Sequence, residues 1–353
     1  MTRVTVLDGL RAAAVLIVMI SHAGLGHVVP GGFGVTMFFV LSGYLITHLL
    51  LIEFENKGQV SYSAFYLRRT VRILPPLALC YVTATGLVLT FDLNISYNVA
   101  GVVWDIALVS NYASSLGQPS NIPIPLWSLN IEEHFYVVFP ATFVAILSRH
   151  RGWLMPVLVL LLALALVVRY IEFSRGNASN IYYWTHTRYD MILFGSLLAT
   201  VQRYGAVKIR KMLASYPAVF IAALAIILTF LVRDPFFRET IRYSVQGVAL
   251  LVVFAFLLSD KITFASTVSE WKPIRLTAEY SYVLYLIHLP IFTFVENYYS
   301  DFSSVFQHIL GFGLSFLFAA ATHRFMERPL LQWRKRIEKG LQPKGALRPK
   351  GLE

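Results

Sequence analysis

Charge is scarce in this chain. Asp, Glu, Lys and Arg make up 14% of its 353 residues, 57% are hydrophobic, and mean hydropathy is +0.62. Soluble domains carry about a quarter charged residues, so a water-covered globule around one apolar core is excluded. Cysteine is nearly missing. Cys80 stands alone in an apolar run, which excludes a disulfide framework and a cysteine-based metal site. There is no evident internal repeat and no appended soluble domain. Acidic residues number 19 against 30 Lys and Arg. In a membrane chain that imbalance reports loops facing anionic lipid on the cytoplasmic side, so it gives no reason to invoke nucleic acid.

What the sequence does have is apolar runs of around 20 residues from one end to the other, the pattern of an all-α, polytopic transmembrane helical bundle. Spans fall at roughly 5 to 23, 34 to 52, 73 to 91, 127 to 148, 153 to 171, 188 to 203, 214 to 232, 243 to 259, 278 to 297 and 305 to 325, about ten in all. They form one membrane domain, 1–330, followed by a basic tail, 331–353, whose Pro, Gly, Lys and Arg read as disordered. A weaker run, 99–112, is interrupted by Asp105. If it crossed, every later loop would invert and the most basic ones would face outward, so it is read as re-entrant or interfacial, with both termini cytoplasmic. Arg175, Arg233, Arg238 and Arg242 run against this pattern on the outer side.

Polar residues inside apolar runs mark candidate sites, because an intramembrane charge is costly unless paired or wet. The first run holds Asp8, Arg11 and His22. Arg11 and His22 lie on one helical face, about 16 Å apart along the axis. A signal peptide is the competing reading of this run, but Asp8 and Arg11 sit badly in one and the chain continues as a multi-span protein. Arg11 snorkelling to the interface, or pairing with Asp8, is the structural alternative. Ser42 and Gly43 are small residues at mid-depth of the second run, where close helix packing is the simplest role and Ser42 also offers a hydroxyl. Arg69 and Arg72 share a helical face at the cytoplasmic rim, a lipid anchor or a phosphate pair. Ser128, Glu132 and Tyr136 recur at i, i+4, i+8 on one face, whereas Glu133 is expected to complement a helix start. Arg188 and Asp190 sit at an outer span end, two apart and so on different faces. His288 is buried in a late span before Pro290, either supporting a site or satisfying a freed carbonyl.

Five motifs in order carry a resemblance: L-D-G-L-R-A at 7–12 with His22 beyond it, F-F-V-L-S-G-Y-L-I at 38–46, R-R-T-V-R at 68–72, W-S-L-N-I-E-E-H-F-Y at 127–136, and S-Y-V-L-Y-L-I-H at 281–288. Together they resemble the acyltransferase-3 family of integral membrane O-acyltransferases, which modify bacterial surface polysaccharides, Nod factors and some macrolides. His134 stands where that family often has Gln, and the chain looks like the form without an extra-cytoplasmic esterase-like domain. The resemblance implies a bacterial cytoplasmic (inner) membrane enzyme that moves a short acyl group, often acetyl, from acyl-CoA to a hydroxyl of a carbohydrate or lipid-linked glycan, alongside a polysaccharide biosynthesis partner. Acyl-CoA is then a co-substrate, with no bound cofactor and no metal expected. Arg69 and Arg72, with Arg11, are expected to hold coenzyme phosphates. His22 is expected to act as general base or acyl carrier, with Glu132 orienting it or the acceptor. Asp8, Ser42, Ser128, Tyr136, Arg188, Asp190 and His288 are supporting or substrate candidates. A transporter or flippase without acyl chemistry is the alternative from another class.

Overall fold

The computed structural model describes residues 5–91, 93, 98–259 and 263–341, and every element among them is helical. Helices are what such runs must form, since hydrocarbon offers backbone groups no other partner. In chain order they are α1 Thr5–Ile20, α2 Gly31–Lys57, α3 Tyr62–Phe91, α4 Val99–Ile106, α5 Ser110–Ala113, α6 Leu126–His150, α7 Leu154–Ser174, α8 Thr185–Arg188, α9 Asp190–Tyr204, α10 Val207–Leu213, α11 Tyr216–Leu231, α12 Arg242–Leu257, α13 Thr263–Glu270, α14 Lys272–Tyr298, α15 Ser304–Thr322 and α16 Arg328–Leu341.

Among the described residues, seven stretches are long and apolar enough to cross a bilayer, or eight if α10 and α11, bent by 52°, count as one. The expectation of about ten is larger for two reasons. Leu126–Ser174 counts as one 49-residue stretch, although the backbone at His150 (φ −149°, ψ 81°) separates α6 from α7. And α9 has 15 residues, about 22 Å, short of the roughly 30 Å hydrocarbon core. The 99–112 run does not form a span. It splits into α4, 8 residues, and α5, 4 residues, and its Asp105 is buried with the Tyr81 hydroxyl donating to it at 2.9 Å. At the other end α16 continues the helix through Leu341, inside the segment read as a disordered tail, and 342–353 lie outside the described residues.

Helix α1 is central, packed between α2 and α14. α2 packs in turn on α9, which also meets α7 and α12, while α14 meets α3 and α15. The α2–α9 contact depends on two glycines. A Cβ on Gly43 would lie 1.8 Å from the Ile192 carbonyl oxygen, and one on Gly195 would lie 1.9 Å from that of Val40. Each backbone thus occupies the space where the other's side chain would be, the small-residue packing read at Gly43.

α1 ends in a widened turn, Ser21–Leu25, where Ala23 (φ −84°, ψ 41°) and Gly24 (φ 78°) leave the helical conformation. Widened turns of this kind concentrate at functional positions, and this one carries His22.

Candidate active site

His22 projects from the widened turn toward α14, and its Nδ1 lies 3.0 Å from His288 Nε2, with the rings stacked at 5.1 Å. His288 is fully buried. Its Nδ1 lies 2.9 Å from the Leu284 carbonyl, which can only accept. The proton assignment therefore follows for the neutral pair: His288 carries its proton on Nδ1, so its Nε2 accepts, so His22 Nδ1 donates. That leaves the lone pair of His22 Nε2 unused, on a residue exposed at the helix end. The carbonyl that Pro290 frees is that of Leu286, so His288 does not compensate the proline break as one sequence reading held.

Below this pair, a cavity of about 220 Å³ gathers Arg11, Ser42, Arg69, Arg72, Ser128, Glu132 and Tyr136 from α1, α2, α3 and α6. The i, i+4, i+8 face of α6 thus enters the cavity as a unit. Ser42 Oγ donates to Glu132 Oε1 at 2.8 Å, and the Tyr136 hydroxyl donates to Glu132 Oε2 at 3.1 Å. Arg69 lies flat on Tyr136, 3.2 Å from the ring centroid, and 3.9 Å from Glu133. Since α6 begins at Leu126, Glu133 is beyond the first turn and pairs with Arg69 rather than complementing a helix start. Arg11 keeps a 3.9 Å contact with Asp8 while still lining the cavity, so the structural and site readings of Arg11 hold together.

Tyr285 joins cavity and dyad. Its hydroxyl meets Ser128 Oγ at 2.5 Å inside the cavity, and its ring centroid lies 6.0 Å from that of His288. A second cavity of about 710 Å³ opens at the Asp8 end of α1 and shares Arg11, Arg72, Ser281 and Tyr282 with the first. It adds Arg328 and Arg334 from α16, with Glu327 and His323 bonded to each other at 2.7 Å. The two spaces thus adjoin, the outer one bearing four arginines beside Asp8, Glu279 and Glu327, and Tyr285 stands between the inner one and the histidine pair, neither member of which lines either space.

Some expected contacts are not made. Glu132 bonds to Ser42 and Tyr136 and not to His22, whose ring partner is His288. Asp190 holds Arg169 at 2.7 Å with both side chains fully buried. Arg188 sits apart from the cavity, over the Tyr243 ring at 3.9 Å. His134 bonds to Thr185 Oγ1 at 2.7 Å, away from the dyad. Tyr285, Tyr282, Arg328 and Arg334 were not singled out from sequence. Ser281, Tyr285 and His288 fall at i, i+4, i+7, so the helical face that carries His288 was the signal for Tyr285. Among the described residues, no group of three or more His, Cys, Asp or Glu has a metal-holding arrangement.

Comparison with known proteins gives a consistent picture. The acyltransferase-3 family model, described as an acyltransferase domain, matches residues 4–324. The O-acetyltransferase OatA of Staphylococcus aureus strain NCTC 8325 is 32% identical over 346 residues, covering 92% of this chain and 56% of OatA. A second protein of that species, strain COL, with a provisional O-acetyltransferase name, is 30% identical over 357 residues, covering 93% of this chain and 58% of its own length. The chain therefore spans a little over half the length of these curated relatives. No solved structure gives a significant match.

Proposed function

The chain belongs to the acyltransferase-3 family, and from that membership we propose an integral membrane O-acyltransferase that moves a short acyl group, acetyl, from acyl-CoA to a hydroxyl of a carbohydrate or lipid-linked glycan. The observation that carries this reading is the pair of adjoining cavities lined by Arg11, Arg72 and Glu132, with Tyr285 linking their wall to a histidine pair whose His22 Nε2 has no hydrogen-bond partner among the described residues. Acetyl is favoured by the O-acetyltransferase name of the relatives.

In this reading Arg11, Arg72, Arg328 and Arg334 hold the coenzyme phosphates, where guanidinium groups give charge-assisted bonds. The pantetheine arm lies in the cavity beside Arg69, Ser42 and Tyr136. His22 Nε2 takes the proton of the acceptor hydroxyl as its oxygen attacks the thioester carbonyl. The carbon–sulfur bond then breaks, and the coenzyme thiolate recovers that proton from the imidazolium. His288 holds His22 in the tautomer that makes Nε2 the base, the orienting role a third group plays in a catalytic triad. Glu132 acts on Ser42 and Tyr136 and shapes the cavity wall, while Ser128 and Tyr285 place hydroxyls where the cavity approaches the dyad. The enzyme sits in the bacterial cytoplasmic membrane with both termini and the coenzyme mouth on the cytoplasmic side, alongside the machinery that supplies its glycan.

The test is acceptor-dependent release of coenzyme A thiol by the purified protein in nanodiscs with acetyl-CoA. Wild type and His150→Ala, altered at the far end of α6, should turn over alike, whereas His22→Ala should lose 10²- to 10⁴-fold, the range for a positioned general base. Equal turnover by His22→Ala would remove His22 from the chemistry. Absence of thiol release across acyl donors and glycan acceptors would overturn the reading.

A further inference from the structure

The arginines that defy the positive-inside pattern have a common location. Arg233, Arg238 and Arg242 line one cavity of about 560 Å³, at the end of the bundle that also holds Ser21, the neighbour of His22. Arg175, the fourth, is accounted for by Glu172 at 3.0 Å. Glu239 is the one acid in the lining, and it is engaged by Arg242 at 4.0 Å and by the Tyr243 hydroxyl, which donates to it at 3.3 Å. The Arg233 and Arg238 side chains have no ion-pair partner among the described residues. The cavity thus carries an excess of positive charge.

A second observation points the same way. Arg188 is fully buried behind the cavity wall. Its Nη2 donates to Thr36 Oγ1 at 3.2 Å and its guanidinium lies over Tyr243 at 3.9 Å and Tyr182 at 5.2 Å, three residues that themselves line the cavity. Arg188 Nε and Nη1 have no hydrogen-bond partner among the described residues. Asp190, the nearby acid, is taken by Arg169. Burying a cation without a counter-charge is unfavourable, and an anion in the adjoining cavity offsets it. The rest of the wall suits a hydroxyl-rich ligand. Phe33 and Phe230 offer apolar faces, and Tyr182 and Gln246 offer polar groups. Burial pushes the Tyr182 phenol up to about 12, so it stays a hydroxyl donor at neutral pH. Gly32 lets the Tyr182 ring sit close against this wall, since a Cβ there would lie 2.7 Å from the Tyr182 hydroxyl and displace it.

We propose that this cavity is the acceptor subsite and that it selects an acidic saccharide, with the carboxylate held by Arg238 and Arg233 over the buried Arg188 and the sugar faces against the aromatic wall. The proposal rests on the acyltransferase reading for the word acceptor. Its binding test does not, because no acyl donor is present.

The experiment compares tetragalacturonate with its methyl ester, in which each carboxylate is capped as an uncharged ester, binding to the full chain in phosphatidylcholine nanodiscs at low salt. The acid should bind at least about tenfold more tightly than the ester, as one charge-assisted bond predicts, and the preference should shrink as salt screens it. Arg233→Gln combined with Arg238→Gln should abolish the preference without changing ester binding, while the two Lys replacements should keep most of it. Equal binding of acid and ester, binding of neither, or a preference untouched by the Gln pair would each overturn the proposal. Loss of thiol release with the acid preference intact would instead count against the acyltransferase reading.

Discussion

Replacing His288 tests the tautomer argument more sharply than replacing His22. His288 Nε2 accepts from His22 Nδ1 because its own Nδ1 is committed to the Leu284 carbonyl at 2.9 Å. His288→Leu removes the acceptor while keeping an apolar side chain in a fully buried position. The His22 proton is then free to sit on either nitrogen, the ring loses its 3.0 Å anchor, and the base is misplaced as well as partly masked. A wrong-tautomer substitution in a serine protease triad costs roughly 10⁴-fold, and here the productive tautomer and orientation are only partly depopulated, so a fall of about 30- to 100-fold in kcat is expected, roughly 2 to 3 kcal/mol of transition-state stabilisation. In His288→Gln the amide oxygen reaches the place of Nε2 and accepts the same hydrogen bond, so most activity should return. The assay is acetyl-CoA turnover at saturating acceptor, with KM for acetyl-CoA expected to stay unchanged because His288 does not line the coenzyme path. The acid limb of the wild-type pH profile should fall with unit slope, since protonating His22 removes the base. Wild-type turnover in His288→Leu alongside an inactive His22→Ala would refute the reasoning, as would equal loss in the Leu and Gln variants.

Other outcomes follow from the same geometry. Arg72→Gln or Arg328→Gln should raise KM for acetyl-CoA by about tenfold per lost phosphate contact and leave kcat within a few-fold, which a salt titration of wild type should mimic. Asp190→Asn leaves Arg169 buried and unpaired and should cost about 3 to 5 kcal/mol, read as a fall of roughly 10 °C in the thermal midpoint of the detergent-solubilised protein. Joint replacement by Met at 169 and Leu at 190 should recover much of it. Gly43→Leu should prevent assembly rather than slow catalysis, because the Ile192 carbonyl lies 1.8 Å from where the Cβ must go, and expression of folded protein reports it.

What the sequence made legible is whatever one helix can encode alone. The faces Arg11–His22, Arg69–Arg72 and Ser128–Glu132–Tyr136 were readable because helical geometry fixes the relative direction of side chains a few residues apart, and all but His22 converge on one cavity. Partnership between helices was not readable, since nothing in local periodicity says which face meets which. Glu132 therefore seemed a natural orienter for His22, yet the partner that His22 meets is His288, 266 positions away in sequence. Arg188 and Asp190 were readable as lying on different faces at a span end, but not their partners: Asp190 is engaged by Arg169 on α7 and Arg188 by Thr36 on α2. The count of about ten spans is not confirmed by apolar length alone: Leu126–Ser174 passes as one stretch, although the break at His150 falls between the two spans read there, and α9 is shorter than the hydrocarbon core. The outer arginines are the instructive residue class. The positive-inside rule describes how loops face lipid and the insertion machinery, so its exceptions mark positions where another demand on charge prevails. At Arg175 the structure supplies Glu172, and at Arg233, Arg238 and Arg242 it supplies a cavity with one acid already spoken for. A violation of a statistical rule becomes a site hypothesis only when the fold collects the violators in one place, as it does here.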